Sequence, residues 1–308
     1  MITSDVKIIF STNNYQYLKK KVVAEGAFEP GEVEIKFFPD GERYQRIMSE
    51  VRGRHVVVIG GTISDSDTLE LYDLSFALAM NGARSLTVVI PYFGYSTMER
   101  AVKPGEVVTA KIRARLFSTL PRTSQGNTFI LMDLHTEGLP HYFEEAVLPI
   151  HLYCKPVIID ICRSLHLPNY LLACTDAGRA KWVESLANDL GVKAAFVFKK
   201  RISGEQTEVT AVSADVEGKD VIIYDDMIRT GGSLINAAAS YKEAGAGKIF
   251  AVTTHGIFSN NGIEKIKNSG LFEQVICTDT HPITTTLENS FLKVVSISNL
   301  LAAKLNNI

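Results

Sequence analysis

Cysteine is scarce, net charge is nearly absent and long apolar runs are missing from this sequence of 308 residues, and each shortage narrows its function. Four cysteines, Cys154, Cys162, Cys174 and Cys277, form no Cys-x-x-Cys pair and read as buried free thiols of a reducing compartment. A formal net charge of −2 offers nothing to a nucleic acid or an anionic membrane. No apolar stretch approaches the roughly 20 residues that span a bilayer. The first residues, Met1-Ile2-Thr3-Ser4-Asp5-Val6, lack the basic and apolar segments of a signal peptide, so a cytoplasmic protein is expected. No low-complexity tract is present. What remains is the composition of a soluble globular protein, 46% hydrophobic and 21% charged, long enough for two domains.

The chain is written twice. Gly53-Arg54-His55-Val56-Val57-Val58-Ile59-Gly60-Gly61 has the shape of Gly218-Lys219-Asp220-Val221-Ile222-Ile223-Tyr224-Asp225-Asp226: a turn, a short β-branched run, then a polar or glycine-rich loop. Each loop leads into a helix-compatible stretch, 69–80 and 234–243. Each helix ends at a glycine, Gly82 or Gly245, the residue favoured just past a helix C-terminus. A strand follows each, at 86–90 and 249–253. Further strands are expected at 6–10, 128–132, 170–174, 195–198 and 275–277. Apolar strands alternating with amphipathic helices imply a parallel sheet covered on both faces. The expectation is two similar α/β domains, residues 1–150 and 151–308, joined where Leu148-Pro149-Ile150-His151 breaks the pattern. Only the second carries the loop chemistry described next.

After the strand 221–224 stands Asp225-Asp226-Met227-Ile228-Arg229-Thr230-Gly231-Gly232-Ser233, and then a helix. Ligands of open α/β sheets bind at the carboxyl ends of strands. Thr230, Gly231, Gly232 and Ser233 at a helix N-terminus offer backbone N–H groups, two hydroxyls and a favourable dipole to a phosphate. The paired acids Asp225 and Asp226 suit the vicinal hydroxyls of a ribose, or a metal bound to them. Together they describe a site for a ribose phosphate. The loop resembles the phosphoribosyl-diphosphate loop of two families, the type I phosphoribosyltransferases and the ribose-phosphate pyrophosphokinases.

Five other segments favour the pyrophosphokinases. Phe37-Phe38-Pro39-Asp40-Gly41-Glu42-Arg43 reads locally as a turn, and it resembles the family segment that reaches adenine. Pro91-Tyr92-Phe93-Gly94-Tyr95-Ser96-Thr97-Met98-Glu99-Arg100 follows a strand and sets aromatics beside an arginine. Asp133-Leu134-His135 follows another. Thr175-Asp176-Ala177-Gly178-Arg179 is similar to the family's Asp-x-Gly turn, and Lys199-Lys200-Arg201 falls on its basic catalytic loop. The likeness runs in order from Phe38 to about His255.

That resemblance implies two phosphoribosyltransferase-type domains, each a mainly parallel sheet flanked by helices. It implies transfer of the β,γ-diphosphoryl group of Mg·ATP to the C1 hydroxyl of ribose 5-phosphate. Lys199 and Arg201 would be catalytic. Phe38, Asp40, Glu42, Thr97, Met98, Arg100 and His135 would contact ATP. Asp176, Asp225, Asp226, Arg229, Thr230, Gly231, Gly232 and Ser233 would hold ribose 5-phosphate, with His135 and Asp176 placing Mg²⁺. A segment 199–208 would close over the site. A homo-oligomer is implied, with the ATP site at a subunit boundary. Thr97-Met98-Glu99-Arg100 stands where the best-known bacterial and animal enzymes have Arg-Gln-Asp-Arg, and it looks like the plant-type, class II branch, which is independent of inorganic phosphate. Arg229 replaces the usual Asp or Gln of the loop, and a second acceptor such as ADP-ribose would suit it. A phosphoribosyltransferase and a non-catalytic regulatory homologue are the other readings.

Overall fold

The doubling of the sequence becomes two six-stranded sheets. The computed structural model describes residues 6–144, 147–175, 177–203, 206–212 and 215–308, with the backbone alone for 177, 198–203 and 206–212. In chain order the elements begin with β1 (Ile8–Ser11), α1 (Gln16–Ala24), β2 (Glu29–Pro30), β3 (Val33–Phe37), β4 (Arg43–Ile47), β5 (His55–Ile59) and α2 (Asp65–Met80). There follow β6 (Ser85–Ile90), α3 (Thr109–Ser118), β7 (Asn127–Met132), β8 (Val147–Leu152), α4 (Lys155–Ser164), β9 (Tyr170–Cys174) and α5 (Ala180–Leu190). The chain continues with β10 (Lys193–Ala195), β11 (Val197–Ser203), β12 (Gln206–Val212), β13 (Asp220–Ile228), α6 (Gly232–Glu243) and β14 (Ile249–Gly256). It closes with α7 (Gly262–Asn268), β15 (Gln274–Thr278), α8 (Thr284–Leu287), β16 (Leu292–Val295) and α9 (Ser298–Asn306).

The first sheet has the order β2-β1-β5-β6-β7-β8 and the second β10-β9-β13-β14-β15-β16. Every neighbouring pair in both is parallel. Central strands are buried along their whole length, as in β14, because helices cover both faces and leave no face for alternating polar residues. The helices bury one stripe each. In α6 Leu234, Ala237, Ala238 and Tyr241, spaced three and four apart, meet Val221, Ile223, Ile249 and Ala251. In α2 Leu71, Leu74 and Leu78 meet Val56, Val58, Leu86 and Val88 in the same way. Two antiparallel ribbons stand outside the sheets, β3–β4 and β11–β12.

The contacts divide the chain into two units, residues 1–153 with 298–308, and residues 154–297. Two boundaries therefore differ from those expected. The stretch 148–151 is not a junction but the middle of β8, with Pro149 opposite Phe129. β8 is the edge strand of its sheet, and an edge tolerates a residue with no N–H. Residues 298–308 belong with the first unit rather than the second. There α9 buries Leu301, Ala302 and Leu305, and the Ser298 hydroxyl donates to Glu25 just beyond α1 at 3.1 Å. The single strand expected at 195–198 is also divided. β10 ends at Ala195, held by the Tyr241 hydroxyl, which donates to the carbonyls of Ala195 (3.3 Å) and Cys174 (3.1 Å). The chain then leaves the sheet, and Val197 starts the β11–β12 ribbon.

Candidate active site

In the second unit the acids expected in a loop are still in a strand. β13 runs on to Ile228, and Asp225 pairs in register with Thr253 of β14. Asp225 accepts from the Thr175 hydroxyl at 2.9 Å and from the N–H of Asp226 at 3.0 Å. Asp226 is 3% exposed and forms an ion pair with Arg179. A buried carboxylate costs a great deal of free energy without such a partner, so Arg179 lets the second acid stay charged at the strand end. The two acids thus have different surroundings, one facing a hydroxyl and one a guanidinium. Asp176, expected between Thr175 and Arg179, lies outside the described residues.

Beyond Ile228 the chain turns at Arg229, Thr230 and Gly231 into α6. Gly231 is the N-cap, at φ +81°. Only glycine takes that conformation without strain, and a Cβ there would also meet Ile266 of α7 at 2.7 Å. A Cβ on Gly262 would meet the carbonyl of Arg229 at 2.6 Å, so this turn is seated directly on α7. No side chain caps α6, and its first turn carries no acid. Thr230, Gly232 and Ser233 are exposed there, beside N–H groups that no helical carbonyl can reach. An anion fits this end by both charge and hydrogen bonding. Arg229 is exposed at its edge.

Lys199 and Arg201 are in β11, opposite Val209 and Thr207 of β12. Their side chains lie outside the described set. Behind the acid pair, hydrogen-bonded polar groups close the ends of β14 and β15. Tyr224 and Thr254 hydroxyls are 3.0 Å apart, Thr278 donates to the Thr254 carbonyl at 2.7 Å, and His255 Nδ1 lies 2.9 Å from the Thr280 hydroxyl.

In the first unit Phe38, Asp40 and Glu42 form the tip of the β3–β4 hairpin. The Phe38 N–H donates to the Glu42 carbonyl at 2.8 Å, Gly41 takes φ +91°, and an Asp40 oxygen accepts from the Glu42 N–H at 3.1 Å. Asp40 thereby shapes the turn that presents its neighbours. Phe38 is half exposed, its ring edge-on to Tyr44 at 6.3 Å. The hairpin is anchored by Arg43, which reaches Glu70 (3.5 Å) and Asp73 (3.3 Å) of α2.

β6 and β7 are neighbours and parallel, so the loops that follow them leave the same edge of the sheet. After β6, Tyr95 takes φ +63° and its hydroxyl donates to Asp65 at 2.9 Å. Arg113 pairs with the same Asp65 oxygen at 2.5 Å and lies 5.5 Å from the Tyr95 ring centre. This fixes the loop that holds Thr97, Met98 and Arg100. Thr97 is half-buried and Met98 exposed. Arg100 has a mostly exposed side chain, 3.6 Å from Glu99, a surface pairing that leaves it competent for an anion. After β7, Asp133 is buried at φ +34°, and His135 is half-buried. The Tyr142 hydroxyl donates to the Glu99 carbonyl at 2.6 Å, tying the chain beyond His135 to the Arg100 loop. Arg100 and His135 thus belong to one edge, while Asp225–Ser233 belong to the other unit.

Thr175, Arg179, Asp65 and Arg113 are given no role by the sequence, and Tyr95, one of the aromatics set beside an arginine there, instead anchors its loop through Asp65. Thr175 and Arg179 flank Asp176 in a motif singled out for that aspartate. Their partners lie some 50 residues away on a strand whose neighbour the sequence does not state.

Known proteins are similar to this chain along nearly its whole length. Residues 7–120 match the family described as the N-terminal domain of ribose phosphate pyrophosphokinase, and residues 177–308 match the phosphoribosyl synthetase-associated domain. The chain is 33% identical over 309 residues to ribose-phosphate pyrophosphokinase of Chlorobaculum tepidum, covering 98% of this chain and 92% of that one. It is 36% identical over 277 residues to the enzyme of Wolinella succinogenes, covering 89% and 86%. The crystal structure of phosphoribosylpyrophosphate synthetase from Mycobacterium smegmatis superimposes with a TM-score of 0.86 at 25% identity, over 98% of each chain. These relatives are bacterial and lend no support to the plant-type likeness of 97–100. With two family domains in order and such identity along nearly its full length, the chain belongs to the ribose-phosphate pyrophosphokinase family.

Proposed function

We propose that this chain is an enzyme that transfers the β,γ-diphosphoryl group of ATP to ribose 5-phosphate, giving 5-phosphoribosyl diphosphate and AMP. The observation that carries the reading is the open, glycine-capped N-terminus of α6, set beyond the acid pair at the end of β13. The amides and hydroxyls at 230–233 hold the 5-phosphate, and the Asp225 carboxylate accepts from a ribose hydroxyl. Asp226 is held by its ion pair with Arg179 and so is kept away from the phosphate.

The C1 hydroxyl oxygen of the ribose attacks the β-phosphorus, and its proton is released to solvent. The new O–P bond forms as the bond from the β-phosphorus to the α,β-bridging oxygen breaks, and AMP departs with that electron pair. Such transfers depend on positioning and on charge neutralisation rather than on a covalent intermediate. Lys199 and Arg201, on the β11–β12 ribbon, stabilise the charge on the transferred group. Arg100 and His135 bind ATP phosphates, with Thr97 and Met98 beside them. Phe38, with Asp40 and Glu42, offers an exposed ring for adenine at the hairpin tip, which suits a neighbouring subunit of a homo-oligomer. Mg²⁺, when bound, screens the phosphate charges. His135 and Asp176 are the residues expected beside it, and hard carboxylate oxygens such as those of Asp225 fit its preference. A cytoplasmic location is part of this reading, supported by four buried cysteines that form no disulfide, as expected in a reducing compartment.

Release of AMP from ATP, measured with and without ribose 5-phosphate, tests the proposal. Ribose-dependent release, lowered at least about a hundredfold in Lys199→Ala, is expected. AMP release that ignores the sugar phosphate, or full turnover in Lys199→Ala, counts against it. Phosphate independence is a separate reading resting on the plant-type likeness of 97–100, 105–110 and 147–149, and a requirement for inorganic phosphate in the same assay removes it.

A further inference from the structure

The turn that carries His135 is hung from the adjacent strand by one side chain. The Asp133 N–H donates to the Leu152 carbonyl at 3.1 Å, continuing the pairing of β7 with β8. The next amide bonds differently. The Leu134 N–H donates to Nε2 of His151 at 2.9 Å. Between them Asp133 holds φ +34°, which a non-glycine residue keeps only when its surroundings over-determine it. The His151 ring is itself fixed, lying against Tyr153 with centroids 4.0 Å apart. The Tyr153 hydroxyl is raised in pKa by burial and by the nearby Glu137 and Asp133 charges, and it shares a hydrogen bond with Glu137. Residues 133 and 137, on either side of His135, are thus both tied to the end of β8.

We infer that His151 is a positioning residue: its Nε2 lone pair fixes the backbone of Leu134 and so sets the direction from which His135 meets the ATP phosphates. The inference rests on the ATP role given to His135 above. Nε2 accepts, so the ring is neutral and carries its proton on Nδ1. Without the acceptor, the Leu134 amide loses its partner and the strained Asp133 backbone can relax, turning His135 away. The motif Asp133-Leu134-His135 contains no sign of this, because the acceptor comes from the next strand of the sheet.

Steady-state kinetics of the full chain separate the parts. His151→Phe keeps a flat ring against Tyr153 but removes the acceptor; His151→Gln supplies an acceptor without the ring. For His151→Phe, a rise in KM for Mg·ATP of about tenfold is expected, with KM for ribose 5-phosphate unchanged within about twofold. His151→Gln recovers most of the loss. Adding His151→Phe to His135→Ala makes KM for Mg·ATP no higher than His135→Ala alone, since both act through one contact. KM does not depend on the folded fraction, so a poorly folding variant still reports. An unchanged KM for Mg·ATP in His151→Phe, or additive effects, while His135→Ala alone raises it, overturns the positioning role. If His135→Ala also leaves it unchanged, the ATP assignment of His135 is what fails, and the inference falls with it.

Discussion

Two loops leave equivalent strands, one after β5 and one after β13, and each ends at a helix N-terminus. After β5, Gly60 and Gly61 are packed shut: a Cβ on Gly61 would collide with the Tyr15 hydroxyl, and one on Gly60 with Leu71 and Thr12. The Thr62 N–H is bonded to the Tyr92 carbonyl at 3.1 Å, and its hydroxyl accepts from Gly94 at 2.7 Å. α2 is capped by Ser64, which accepts from the Asp67 N–H, and its first turn holds Asp65 and Asp67. After β13 the amides are open, the cap is a bare glycine, and no acid stands in the first turn of α6. Both helix dipoles attract an anion. Side chains decide which one can receive it. In the first unit the acids repel a phosphate and serve instead as anchors, Asp65 for the Arg100 loop through Tyr95 and Arg113.

The sharpest break of this contrast is at the glycines. Gly231→Val introduces a side chain at φ +81° against Ile266, and it should lower kcat/KM for ribose 5-phosphate by about a hundredfold or more. Gly61→Ala should lower the melting temperature, through overpacking worth about 1–3 kcal/mol, while both KM values stay at wild type. If both variants lose ribose 5-phosphate affinity, the first loop is not the closed one.

Next come the acids. Asp225→Asn should raise KM for ribose 5-phosphate about tenfold, as expected for weakening a charge-assisted hydrogen bond. Asp65→Asn should instead act on KM for ATP, by a few fold, because it loosens Tyr95 and Arg113. Substrate titrations of the two variants show whether the effects exchange places.

A smaller difference is in stability against pH. All four cysteines and Tyr241 lie in the second unit. Burial pushes the Cys162 thiol up to about 12, and it raises Cys277 and Tyr241 as well. A raised pKa in the folded state means the unfolded chain gives up the proton first. This stabilisation is complete below the unfolded thiol value of about 8.5 and is lost as pH climbs toward the folded values. Trp182, the single tryptophan, stacks on Tyr224 at 4.1 Å within that unit. Thermal melts followed by its fluorescence should therefore fall in midpoint between pH 8 and 11, and Cys162→Ala should flatten the slope. A midpoint independent of pH contradicts the burial of these groups.

Arg229 should matter least. It is exposed at the loop edge, so Arg229→Gln should change KM for ribose 5-phosphate by less than about threefold. Turnover with ADP-ribose that disappears in Arg229→Gln would show the opposite, an acceptor with a second phosphate.

Much of this was legible in the sequence because it is local. The β-branched runs, the glycines after each helix and the Thr230–Ser233 turn are decided by neighbours along the chain. The two parallel sheets follow from the alternation of apolar strands and helices. Boundaries at Pro149 and residue 298 were not legible, since a proline at an edge and a terminal helix returning to the first unit depend on distant surfaces. The split at Ala195 is similar. Four apolar residues in a row, 195–198, read as one strand, and only Tyr241, from α6, marks where the sheet ends.

The sequence by itself determined which helix N-terminus can hold a phosphate. The side chains that exclude one from α2, and their absence from α6, are written within a few residues of each strand. Tertiary structure alone decided how the charged groups are held. Arg179 beside Asp226, Thr175 beside Asp225 and His151 beneath Leu134 become neighbours only when separate strands pair in register, and that pairing is set by burial of whole faces rather than by any motif.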